Sequence, residues 1–241
     1  MGRFDEADDP RRRVLIQALA AGLFTATAPV RHANASVLGD VPKQIPAGRS
    51  IYRLNGDVRV NGNLATLDTR ISPNDTIETS PGGEIVFVVG KDSYILRGGS
   101  RLALQADKAE PSIAANLRIL AGRILAVFGR STHRIQTTTA VVGIRGTGIY
   151  AEADPEQTYF CTCYGITDIA SAKDKTSRET VRSTHHDARY ILASAAAGKN
   201  VRKAPFINHS DSELMLVETL VGRQPPFVFP SDDYKAPRRE Y

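Results

Sequence analysis

The chain has 241 residues, of which 41% are apolar, 24% charged and 7% aromatic, with two cysteines and no tryptophan. These proportions belong to an ordinary folded protein and exclude a collagen, a long coiled coil and a disulfide-stapled mini-protein. Thirty-one Lys+Arg against 26 Asp+Glu give a net charge of +5, but the basic residues lack the stripe of cations and stacking aromatics that a nucleic-acid surface needs, so nucleic acid is not an expected partner.

Arg11-Arg12-Arg13 precedes an Ala-rich apolar run from Val14 to Val30, and Ala33-Asn34-Ala35 then supplies small residues two apart, the pattern of a cleaved bacterial export signal over residues 1–35. The pair Arg11 and Arg12 followed by apolar residues, the mild hydrophobicity of the run and the basic Arg31 resemble the twin-arginine class. A membrane anchor is the competing reading. The run contains Gly22, Thr25, Thr27 and Pro29, and it barely reaches across a hydrocarbon layer of about 30 Å. Cleavage near Ala35 is expected to leave a periplasmic or secreted chain without an integral membrane segment.

From Ser50 the texture changes to short apolar segments separated by Gly, Asn and Asp. Asn55-Gly56 and Asn61-Gly62 predict turns on either side of Asp57 to Val60. Strands are expected over Glu84–Val89, Ser93–Arg97 and Arg101–Gln105. The alternation of the third predicts one exposed face, with Leu102 and Leu104 inward, whereas the unbroken run Ile85 to Val89 predicts a strand covered on both faces. A hairpin of Leu117–Leu120 with Arg123–Phe128 around Ala121-Gly122 is expected next, followed by Arg134–Thr137 leading into Ala140–Tyr150. The fold class is mainly β, and this strand pitch suits a sandwich, a jelly-roll-like barrel or a β-solenoid equally.

The segments Ile77-Glu78-Thr79-Ser80-Pro81-Gly82-Gly83, Leu117 to Phe128, Ile135 to Ala140 and Gly143-Ile144-Arg145-Gly146-Thr147-Gly148 occur in this order, and together they resemble the FecR domain over roughly residues 50–170. The resemblance implies an exported β-domain that interacts with or senses another molecule. Members that regulate sigma factors carry a cytoplasmic region before one membrane helix. The 13 residues ahead of the apolar run here are too few to fold such a region, so only the exported β-domain is expected to carry over, without an iron-citrate site.

Gly143, Arg145, Gly146 and Thr147 look superficially like a phosphate loop, but the following Ile149 to Ala153 alternates like a strand rather than opening the required helix. Their expected role is structural, with glycines permitting close strand approach and the Arg145 guanidinium saturating carbonyls. Cys161-Thr162-Cys163 follows a strand-like Thr158-Tyr159-Phe160. Residues two apart on a strand share a face, with Cα atoms about 6.6 Å apart. Two thiolates there can grip one metal ion, and a disulfide between them would be strained and easily reduced. Outside the signal the chain has only His133, His185, His186 and His209. Cys161, Cys163, His209 and one of His185 and His186 would make a four-ligand zinc set, since on a strand only one of two adjacent histidines can face a given site. No motif specifies a catalytic triad, and no cofactor is indicated beyond zinc or another metal at the cysteine pair.

Beyond Ala170 the strand pattern fades into a mixed extension, residues 171–241. Lys173–Arg182 reads as an exposed loop or strand edge, and Ala188–Ala197 as ambiguous. Ser210-Asp211-Ser212-Glu213 forms a capping box for a helix over about 211–221. Leu214, Val217, Leu220 and Val221 would be its buried stripe, and Gly222 its stop.

The sequence thus points to an exported FecR-like envelope protein, not an enzyme, binding another envelope protein or a cell-wall glycan. The competing reading is a metal-binding or redox protein using Cys161 and Cys163. If export follows the twin-arginine route, replacing Arg11 and Arg12 by Lys should hold the precursor in the cytoplasm on cell fractionation. Undiminished export would contradict that route.

Overall fold

A computed structural model describes residues 43–112 and 114–227. Arg11, Arg12, Ala33 and Ala35 lie outside these residues. The described chain is mainly β, with fourteen strands in one hydrogen-bonded network and one short C-terminal helix. The network does not close into a barrel, and no helix among the described residues is long and apolar enough to cross a membrane.

Strand β1 (Ile51–Asn55) pairs with β5 (Glu84–Val89), while β2 (Val58–Val60) pairs with β3 (Asn63–Leu64) and β4 (Thr76–Thr79). Gly56 and Gly62 both take positive φ, so the two Asn-Gly turns fall where the sequence places them. The next strands are β6 (Asp92–Leu96), β7 (Arg101–Gln105) and β8 (Asn116–Val127), which joins β7 through its first half and β6 through its second.

Residues 117–128 therefore do not form a hairpin. Gly122 has φ +93° and lies so close to Ser100 that a Cβ there would stand 2.1 Å from its Oγ. The Ala-Gly pair thus bends one long strand, and positive φ with close backbone approach serves a bend as well as a turn.

The remaining strands are β9 (Thr132–Gln136), β10 (Ala140–Ala153), β11 (Gln157–Ser171), β12 (Arg178–Ser183), β13 (Asp187–Leu192) and β14 (Val201–Ala204). The first half of β10 pairs with β9 and the second with β8, and β11 runs beside its whole length. Sheet structure thus continues past Ala170. In β13 the alternation is broken in the sequence by Arg189, which is buried because Glu179 and Asp187 take up its guanidinium. Paired this way, a charged residue occupies a strand position that composition alone would call a loop.

Both faces of the central strands are covered. Ile85, Phe87, Tyr94, Leu96, Ile124, Ala126, Ile149 and Ala151 point into one core. Val86, Val88, Ile95, Leu125, Val127 and Tyr150, their immediate neighbours in sequence, point into a second core on the other face. Two-residue alternation with cover on both sides explains the wholly apolar β5.

The second core is roofed by helix α1 (Asp211–Leu220), whose Leu214, Val217 and Leu220 are fully buried. Ser210 caps α1: its hydroxyl accepts from the Glu213 N–H while the Glu213 carboxylate accepts from the Ser210 N–H. Val221 is only partly buried, and Gly222 follows with φ +71°.

Candidate metal centre

One row of paired residues crosses the helix-covered face: Val86, Ile95, Leu125, Tyr150, Cys161 and Ala188, on β5, β6, β8, β10, β11 and β13. Cys161 thus lies within an apolar row and is fully buried. Cys163 sits where the β10–β11 register slips, between the pairs Gly148–Tyr164 and Ile149–Thr162. It too is fully buried, and both cysteines are free thiols.

Strand β11 has two partners in succession. Residues Gln157–Thr162 pair with β13 and Gly165–Ala170 with β12. The link from β12 to β13, residues 184–186, therefore runs along the same edge of β11 past Cys163, and the His186 N–H donates to the Cys163 carbonyl at 2.9 Å. His185 and His186 lie in this link, not on a strand, and His186 adopts φ +49°. The rule that adjacent histidines face opposite ways does not hold here. Both rings reach the same carboxylate: His185 Nε2 lies 3.0 Å from the oxygens of Asp211 and His186 Nε2 lies 2.8 Å from Oδ1.

The segment leading to α1 brings in His209. The Tyr159 hydroxyl donates to the Pro205 carbonyl at 2.9 Å and accepts from the Ile207 N–H at 3.2 Å. Buried Arg97 donates to the Asn208 carbonyl, to the Tyr150 hydroxyl and to Glu213. His209 then stacks on Tyr150 with centroids 4.5 Å apart, and Phe206 packs against both His186 and His209.

The result is a cluster in which one ligand atom each from Cys161, Cys163, His186 and His209 lies within 4.8 Å of every other. Cys163 Sγ is 3.3 Å from His209 Nε2, Cys161 Sγ is 3.8 Å from His186 Nδ1, and the two imidazole nitrogens are 3.2 Å apart. A tetrahedral zinc ion with ordinary bond lengths sets S···N edges of about 3.6 Å and an N···N edge of about 3.3 Å. The donor atoms already stand close to that spacing.

The outward ring nitrogens support this use. His209 Nδ1 faces the Ile207 carbonyl at 2.7 Å, and His186 Nε2 faces Asp211. An imidazole nitrogen beside an acceptor carries the proton, so in each neutral ring the inward nitrogen presents its lone pair. Two lone pairs facing one another at 3.2 Å need a proton or a cation between them. Outer acceptors that fix tautomer and ring direction are the usual second layer of a metal site.

Electrostatics point the same way. Burial opposes ionisation of the Cys161 thiol, but hydrogen bonds with Cys163, His186 and His209 outweigh it and bring its pKa down to about 4. Cys163 is pushed well above the ordinary thiol range by burial and by its bond with Cys161. Burial would also lower His186, yet Cys161 and Asp211 outweigh that and raise it. Cys161 is thus the thiol whose surroundings favour the anion, the form in which a cysteine ligates a divalent ion.

Of the sequence candidates, Cys161, Cys163, His186 and His209 come together. His185 contributes through Asp211 rather than to the cluster, and His133 lies elsewhere, 2.9 Å from Asp92. Gly143, Arg145, Gly146 and Thr147 lie within β10 and open no helix. Arg145 does not saturate carbonyls. It reaches Asp168 at the surface, while the Thr147 hydroxyl meets the carbonyls of Arg145 and Ile166, because the register slip in this stretch leaves those carbonyls to a short side chain. Asp211 was missed by sequence reasoning because an acid in the first turn of a helix is accounted for by the helix dipole alone.

No family model and no curated protein matches this chain. Two solved structures resemble it, both described as a "putative anti-sigma factor" from Parabacteroides distasonis ATCC 8503. One aligns with a TM-score of 0.43 at 11% identity, covering 54% of this chain and 58% of that one. The other aligns with a TM-score of 0.44 at 13% identity, covering 67% and 82%.

Asp211→Asn keeps the side-chain size and removes the charge behind His186. Zinc affinity, read by competition with a chromogenic chelator, should fall by about 10- to 100-fold. Unchanged affinity would show that Asp211 does not orient a ligand.

Proposed function

We propose that this protein is an exported, non-catalytic FecR-like sensing module whose sensing element is a buried Cys2His2 metal centre of the zinc class. The observation that carries the reading is the convergence of four donor atoms from three separate parts of the chain within 4.8 Å. The outer ring nitrogens of both histidines face acceptors, which supports it further. Thiolate and imidazole donors suit zinc, copper, iron or nickel, and a tetrahedral set with two sulfurs favours zinc. Four protein ligands complete that coordination without a position for substrate, the arrangement of a structural or regulatory ion.

The FecR-like part of the proposal rests on the ordered motifs between Ile77 and Gly148, and the exported location on the N-terminal signal pattern. An envelope protein or a cell-wall glycan is the partner class such a module would serve.

The test is metal content and free-thiol count on protein purified without chelators. About one zinc-class ion per chain is expected, lost when either Cys161 or Cys163 is replaced by Ser. Two reactive thiols with no bound metal, and no zinc uptake on addition, would contradict the reading.

A further inference from the structure

Helix α1 has ten residues, too few to hold helical structure in water without a surface to pack on. That surface is the sheet face formed by Val86, Val88, Ile95, Leu125 and Val127, and the ligand set spans the junction between the two. Cys161 and Cys163 belong to the sheet, and His186 to the β12–β13 link. His209 stands two residues before α1, and Asp211, the first residue of α1, holds His186 from outside. A bound ion would therefore join the sheet to the start of the helix through His209 directly and through Asp211 behind His186.

We infer that occupancy of this centre by a zinc-class ion locks α1 onto the sheet, and that loss of the ion releases the segment from about Pro205 to Gly222 and bares the apolar face beneath it. This deepens the reading of the cluster as a metal site and rests on it.

The physical basis is what the junction becomes without an ion. Two sulfurs and two imidazole nitrogens stay buried with one another as their inner partners, and a proton shared among them satisfies fewer lone pairs than a cation does. Buried polar groups left short of partners are relieved by opening to water. The element able to open is the one with the fewest sheet hydrogen bonds. The chain from Pro205 to Gly222 has no strand partner, whereas β11 is paired on both edges. The other anchors include Tyr159 to Pro205 and Ile207, Arg97 to Asn208 and Glu213, Asn208 to Glu152, the Ile45 N–H to the Leu220 carbonyl, and Glu218 held by Tyr164 and Arg223. At Asn208, Glu213 and Arg223 one partner of each pair is partly exposed, so water can take its place. A bound ion would tie the start of α1 to the sheet through bonds that water does not replace, which gives the module two states distinguished by metal.

Hydrogen exchange read by mass spectrometry on the full chain tests this, with zinc ion as the probe and metal content measured on the same samples. Peptides covering 205–222 should exchange about tenfold faster or more once zinc is stripped, while peptides from β5, β6 and β8 keep their protection. His209→Gln cuts the tie from the helix side and leaves three ligands. It should still take up zinc, more weakly, without recovering protection of 205–222. If zinc binds but exchange in 205–222 does not respond, the lock is wrong and the metal site stands. If protection is lost across β5 to β8 as well, the ion holds the whole fold and the local lock is overturned. If no zinc binds, the lock falls together with the metal site.

Discussion

The structure depends on a strict two-residue alternation in strands that are buried on both sides. In residues 85–89, 94–96, 124–127 and 149–151 each neighbour in sequence enters the opposite core, so a register slip of one residue would exchange the two faces there. That constraint carries Cys161 into the row beginning at Val86, on the helix-covered face and away from solvent. The register slips that β10 and β11 carry, on either side of Gly148, fall beside Cys163. There Gly148 lies against the Tyr164 ring so closely that a Cβ would stand 2.4 Å from it.

The four-donor cluster follows from topology more than from local motif. A long strand served on one edge by two successive partners leaves a link between them, and that link carries His186 to Cys163. Tyr159 and Arg97 shape the approach to α1 so that His209 arrives from the opposite side. The charges have the same logic: a carboxylate that is 2% exposed, Asp211, lies beside His186 and the half-exposed His185, and a buried acid persists only where such partners offset its desolvation. Aromatic rings of Tyr150, Phe206 and Phe227 wall the imidazoles, limiting water and strengthening every electrostatic contact inside.

Much of this was legible beforehand. Gly and Asn punctuation marked β2, β5, β6 and β7, the capping box marked α1 to within one residue, and the Cys-x-Cys spacing put both thiols on one face. What was not legible depended on distant partners. Gly122 reads as a turn until Ser100 is placed against it, and β13 reads as ambiguous until Glu179 and Asp187 cover Arg189. His185 and His186 read as alternatives until the left-handed backbone at His186 lets both rings turn to one acid. Local pattern reports periodicity, whereas a donor cluster assembled from residues 161 to 209 is decided by where three segments meet.

The most direct measurement is X-ray absorption at the edge of the metal retained by the purified protein. The account predicts a first shell of two sulfurs at about 2.3 Å and two nitrogens at about 2.0–2.1 Å, with imidazole scattering beyond. A shell of oxygen and nitrogen without sulfur would place the metal elsewhere and contradict the account.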